Sequence, residues 1–159
     1  MTELGDTPCN CLALRKAARQ VTQIYDAELT RVGLRATQFS ILSVLGRAKQ
    51  TTIGDLAQAL AMDRSTVGHN LRPLERDELI AIAPAAHDRR ARALELTAKG
   101  RAALKRARPL WARAQSHFEA SYGEADAVTL RADLVRVVAA VTQSETRGER
   151  THGEPASAD

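Results

Sequence analysis

At 159 residues, with 44% hydrophobic and 26% charged side chains, the chain has the composition of one globular domain able to bury its own core. Only 3% of residues are aromatic, so that core must come mainly from Leu, Val, Ile and Ala, a mixture that favours helix. A net charge of +4 suits a polyanionic partner. No apolar run reaches the roughly 18 residues of a membrane span, and MTELGDTPCNC lacks a secretion signal. The expected location is therefore cytoplasmic, where thiols stay reduced.

In chain order, residues 1–10 read as a flexible N-terminus. Leu14, Ala18, Val21, Tyr25 and Leu29 step by three and four, which predicts an amphipathic helix from Cys11 to Val32 ended by Gly33. Thr37 is the expected cap of the next helix, with Phe39, Leu42 and Leu45 inward and an end near Gly46. Thr52 and Asp55 form a capping box for a short third helix. Asp63 opens a fourth, buried on Val67, Leu71 and Leu74. Pro73 predicts a kink or early end there, and Glu78 occupies a left-handed position better suited to glycine. LIAIAP and ALELT read as strands joined by the loop AAHDRRAR. Thr97 caps a long helix carrying Leu104, Trp111, Phe118 and Tyr122. Gly123 breaks the chain before a last helix from Glu124 to Gln143, and 144–159 has the composition of a disordered tail.

Helix, turn, helix, strand, basic loop, strand is the order of a winged helix-turn-helix. The fold class expected is mainly α with a small β-wing: N-terminal helices at 11–50, a reading module at 51–97 and long C-terminal helices at 98–143. The terminal helices carry apolar stripes that a small module cannot cover. A second copy packed on a twofold axis would cover them, and a self-contained bundle is the alternative.

The outer face of the fourth helix presents Arg64, Ser65, Gly68, His69 and Arg72, flanked by Thr66 and Asn70. Arg suits guanine, Asn suits adenine, and Thr can touch a thymine methyl in a major groove. Gly68 would let the backbone approach. Arg89, Arg90 and Arg92 in the loop suit a narrow minor groove, with Asp88 placed to orient one of them. Thr51 to Thr97 nonetheless holds six Arg against seven acids. Recognition would therefore depend on where a few arginines are placed. The run from Lys99 to Arg113 has six basic residues and no acid, which reads as a solvated face.

Asp88, Arg90, Leu96, Thr97 and Gly100 follow the wing signature of the MarR family of bacterial regulators, which the chain resembles from about Cys11 to Gln143. LERDELI matches too, with Glu78 where the family usually has Gly. The resemblance implies a homodimer joined through its first and last helices. It implies a near-palindromic DNA operator, commonly repressed until a small effector arrives. By the same resemblance Ser65, Thr66, His69, Asn70 and Arg72 would read the major groove and Arg90 the minor groove. Cys11 resembles the reactive cysteine of the hydroperoxide-sensing branch, and Tyr25 matches a tyrosine fourteen residues on, whereas Arg15 replaces the branch's other tyrosine. Three readings of Cys9 and Cys11 stand: a redox sensor, a soft-metal pair, or cysteines without a regulatory role. An anionic aromatic effector would meet Arg15, Arg19 and Tyr25. No phosphate loop, nucleophile–base pair or metal cluster supports an enzyme, so no cofactor or metal is expected. A helical interaction module without sequence-specific DNA binding is the competing class.

Overall fold

The computed structural model describes residues 8–48, 51–84 and 92–151, with side chains as far as 142. It divides into two compact units, Met1–Phe118 and Glu119–Asp159. In the first, helix α1 (Asn10–Leu29) is capped by Cys9, whose Sγ accepts the Leu12 amide at 3.5 Å. Its N-terminal half is exposed, and Leu29 reaches the core. A 3-10 turn (Thr30–Val32) leads to Gly33 at φ 75°, the left-handed stop expected there.

Helix α2 (Ala36–Arg47) starts at Arg35 rather than at the predicted Thr37. The cause is tertiary. Asp26 of α1 accepts the Ala36 amide at 2.7 Å and an Arg35 guanidinium N–H at 3.2 Å, while the Gln38 side chain accepts the Arg35 amide at 2.9 Å. Those acceptors satisfy the helix start without a Thr hydroxyl.

A two-residue strand, β1 (Thr51–Thr52), was absent from the sequence reading; its partners lie far along the chain. Thr52 also begins α3 (Ile53–Ala59), and the predicted capping box forms: the Thr52 hydroxyl accepts the Asp55 amide at 3.1 Å and Asp55 accepts the Thr52 amide at 3.0 Å. Ala61, at φ 50°, turns the chain into α4 (Arg64–Arg76). Here Asp63 is the cap, accepting the Thr66 amide at 2.8 Å. The predicted early end at Pro73 does not occur. Leu71 and Leu74, on either side of the proline, are both buried, and this packing outweighs the backbone bond that proline cannot donate.

Strands β2 (Ile80–Pro84) and β3 (Arg92–Leu96) pair antiparallel, Ile80 opposite Leu96 and Pro84 opposite Arg92, in a sheet of order β1-β3-β2. Leu29, Ile41, Leu42, Leu56, Val67, Leu74 and Leu94 form the fully buried centre, drawn from α1 to α4 and β3.

The base of the wing is closed by main-chain geometry. Glu78 sits at φ 57°, and the Leu79 amide donates back to Leu74 at 2.8 Å, ending α4 in the left-handed manner expected. The Thr97 hydroxyl donates to the Glu78 carbonyl at 2.7 Å and accepts the Gly100 amide at 2.9 Å, capping helix α5 (Ala98–Tyr122). The Thr97 amide donates to Leu79 at 3.2 Å. Gly100 lies so close that an added Cβ would fall 1.9 Å from the Leu79 carbonyl oxygen.

In the second unit Gly123, at φ 104°, separates the end of α5 from α6 (Glu124–Thr151), and Arg131 pairs with Glu119 at 3.0 Å. Helix α6 continues past the predicted end at Gln143, so the tail assigned from residue 144 begins as helix. SETRGER contains no proline and enough Glu and Arg to extend one. Val128, Leu134, Val135, Val137, Val138 and Val141 of α6 are exposed. No helix among the described residues is long and apolar enough to cross a membrane.

Two stability predictions follow from these contacts. Gly100→Ala should destabilise by roughly 3 kcal/mol, because backbone must move, while Glu78→Gly should stabilise by about 1 kcal/mol by relieving left-handed strain. Urea midpoints at unchanged m-value check both. The second concerns acid. Hydrogen bonds from Ser65 and Thr66 hold the Asp63 carboxyl well below its ordinary 3.8, and those from Thr52 lower Asp55. A folded pKa below the unfolded one adds stability that is present above about pH 4 and lost as pH falls. Asp63→Asn should therefore flatten the loss of stability below pH 4, as read from thermal melts across pH 2–6; equal slopes would refute it.

Candidate nucleic-acid interface

With Val67, Leu71 and Leu74 buried, α4 turns its opposite face to solvent. The predicted residues on that face do not behave alike. His69 and Arg72 are exposed and make no hydrogen bond or ion pair to other described residues. Ser65 and Thr66 are exposed, but both hydroxyls donate to Asp63, Ser65 to Oδ1 and Thr66 to Oδ2 at 2.6 Å. Their oxygens remain as acceptors. Asn70 is half-buried and its amide nitrogen donates to the Thr66 carbonyl at 2.8 Å, so its side chain lies back along the helix. Arg64 folds toward α3: its Nη2 would lie 3.4 Å from a Cβ built on Gly54. That neighbour is not legible from local sequence, because the helices meet only in the folded turn. At Gly68 an added Cβ would meet nothing within 4 Å, so packing within the chain does not require glycine there.

Of the wing residues, Asp88, Arg89 and Arg90 lie outside the described residues. Arg92 opens β3 opposite Pro84 and is exposed. Of the residues assigned to sensing, Cys9 and Cys11 lie on the exposed start of α1 and form no disulfide among the described residues, Cys9 serving as the helix cap. Arg15 and Arg19 are exposed further along α1. Tyr25 is half-buried and donates its hydroxyl proton to the Gln115 side chain of α5. None of Arg15, Arg19 and Tyr25 lines either of the two cavities described next. No group of three His, Cys, Asp or Glu side chains suited to a metal occurs among the described residues.

The first unit has two cavities that the sequence reading missed. One, of about 450 Å³, is walled by Phe39, Ser43 and Arg47 of α2, Leu60 and the α5 residues Arg108 and Trp111. Trp111 stacks on Phe39 with ring centroids 6.0 Å apart and planes inclined 17°. The other, of about 460 Å³, lies among the end of α2, β3 and the first turns of α5. Arg101, Lys105 and Arg108, spaced by four and three, were the legible trace of the second, but their common wall required the fold.

Known proteins place this architecture. The MarR family profile matches residues 32–91. The Mycobacterium tuberculosis transcriptional regulator MosR, solved in complex with DNA, is 40% identical, superposes at a TM-score of 0.77, and is covered over 98% of its chain by 86% of this one. The transcriptional repressor CouR, bound to a 23-mer DNA duplex, is 27% identical at a TM-score of 0.76, with 86% of this chain covering 97% of it. The transcriptional activatory protein BadR of Rhodopseudomonas palustris is 33% identical over 96 residues, or 58% of this chain. That match spans about half of BadR, 51% of its length. With the helix order, the three-stranded wing sheet and a full-length relative at 40% identity in agreement, the chain belongs to the MarR family of winged-helix transcriptional regulators.

Proposed function

We propose that the chain binds double-stranded DNA as a sequence-specific regulator, laying α4 in the major groove and its wing arginines in the flanking minor groove. The observation that carries this reading is the α4 face itself: among the described residues His69 and Arg72 engage no partner, and beside them an added Cβ on Gly68 would meet nothing within 4 Å. A glycine in a helix interior costs roughly 0.5–1 kcal/mol relative to alanine. With no neighbour among the described residues to justify it, we infer that the close approach of a second molecule does. MosR in complex with DNA and CouR bound to a DNA duplex support binding to DNA as such. By that reading His69 and Arg72 meet the major groove directly, Ser65 and Thr66 offer acceptor oxygens to it, and Arg64 and Asn70 join them on leaving their contacts within the chain. Arg89, Arg90 and Arg92 enter the minor groove, with Asp88 orienting one of them. The action proposed is repression of a near-palindromic operator.

The second copy is proposed to pack on the terminal helices. On α6 Val135 is 69% exposed and Val138 50% exposed, and on α1 Leu12 and Leu14 are exposed; each is an apolar surface that water disfavours and that a twofold partner would cover. Two signals could act on this dimer. A small aromatic anion fits the cavity beside Trp111, where the stacked rings and the Arg47 and Arg108 guanidinium groups meet its two chemical characters. Oxidation of Cys11, resolved by Cys9 as a disulfide, would remove the sulfur that caps α1.

Three outcomes are expected. In gel shifts on DNA flanking the coding gene, binding should weaken steeply with salt. Arg90→Ala should reduce it about tenfold or more, and Gly68→Ala should weaken binding while raising the melting temperature. Binding unaffected by both variants would sink the docking. In the same assay peroxide should release wild type but not Cys11→Ser, and equal release would remove the thiol from the mechanism. By sedimentation, the Val135→Asp, Val138→Asp double variant should run as a monomer at concentrations where wild type is dimeric.

A further inference from the structure

We infer that the cavity among the end of α2, β3 and the start of α5, which shares only Arg108 with the Trp111 cavity, is a second ligand site that takes a small organic phosphate or carboxylate. This inference rests on the cavity's chemistry and goes beyond the DNA reading.

The floor is apolar: Leu45, Leu96 and Leu104 are all buried. Gly46 keeps it open, because an added Cβ would fall 2.8 Å from Leu104 Cδ2 and 3.4 Å from Leu96 Cδ1. The rim is cationic. Arg101, Lys105 and Arg108 lie at steps of four and three on one face of α5, against the single acid Glu95 of β3. Arg101 is partly committed, donating from Nη1 to the Leu96 carbonyl at 2.6 Å. Lys105 and Arg108 make no hydrogen bond or ion pair to other described residues. Three cations facing one carboxylate leave a local excess of two positive charges, above a floor that can hold a hydrocarbon or a ring. A volume of about 460 Å³ lies within the range of small-molecule sites, about 300–1,000 Å³, and exceeds what a bare phosphate fills. Charge-assisted bonds from Lys105 and Arg108 would fix the anion, and the leucines would take the rest.

The site also has mechanical access to the reading module. Glu95 and Leu96 of its wall belong to β3, and the next residue, Thr97, is bonded to Glu78 and Leu79 at the end of α4. A ligand here touches the strand that carries the wing and sits one residue from the lock on the reading helix.

The experiment is calorimetric titration of the full chain with phenyl phosphate at fixed ionic strength, with inorganic phosphate and phenol as parallel probes. Expected is saturable binding of phenyl phosphate, weaker binding of inorganic phosphate and none of phenol. Lys105→Ala, which touches only this cavity, should weaken phenyl phosphate at least tenfold. Arg47→Ala, which touches only the Trp111 cavity, should leave that isotherm component in place. Lys105 is exposed, so far-UV circular dichroism of the variant should match wild type. Binding that survives Lys105→Ala, or that is lost only in Arg47→Ala, overturns the proposal. So does a Lys105→Ala variant that loses DNA affinity while phenyl phosphate binding is unchanged, since the rim would then serve the duplex backbone. DNA binding measured separately keeps a failure here apart from a failure of the regulator reading.

Discussion

The approach of Gly100 to the Leu79 carbonyl is the constraint on which the rest of the module hangs. It allows α5 to start directly against the end of α4, and it lets one side chain, Thr97, bond both elements at once. The sheet enters the core through Leu94 and Leu96, and the wing inherits its direction from that join. The end of α4, the wing sheet and α5 thus meet within a few residues. A displacement of any one of them has to be shared by the others. The Leu-Thr-x-x-Gly spacing, which looks like a family signature in the sequence, is therefore a statement about backbone distance.

Helix α4 is held by burial more than by its own sequence. A non-glycine residue at positive φ stands just before it at Ala61 and just after it at Glu78, and Pro73 interrupts its hydrogen bonds. Val67, Leu71 and Leu74 override all three. Natural sequences tend to break local rules near functional surfaces, and the violations here cluster on the element that faces outward with His69 and Arg72.

What could be read in advance followed from periodicity and capping. The Thr52–Asp55 box, the Asp63 cap, the Thr97 cap and the left-handed Glu78 were all visible because their physics is confined to four or five residues. What escaped depends on partners remote in sequence. Asp26 reaching Ala36 moved the start of α2, Leu94 and Ala93 drew Thr51 and Thr52 into a third strand, and Pro73 was rescued by packing. The site shows the same division. That α4 has an outward polar face was legible from the spacing of its leucines. That Ser65, Thr66 and Asn70 are already bonded within the chain, and that Arg64 leans on α3, was not.

The cap on α4 has a consequence for how a duplex backbone could be gripped. The exposed amides and positive dipole end of a helix commonly cradle a phosphate. In α4 that berth is already filled by the chain's own anion: Asp63, ionised at neutral pH like any ordinary aspartate, accepts hydrogen bonds from the Thr66 amide and from the Ser65 and Thr66 hydroxyls, which lower its pKa further. A phosphodiester brought to this point would meet a carboxylate. The tip of α4 is thus closed as a phosphate anchor.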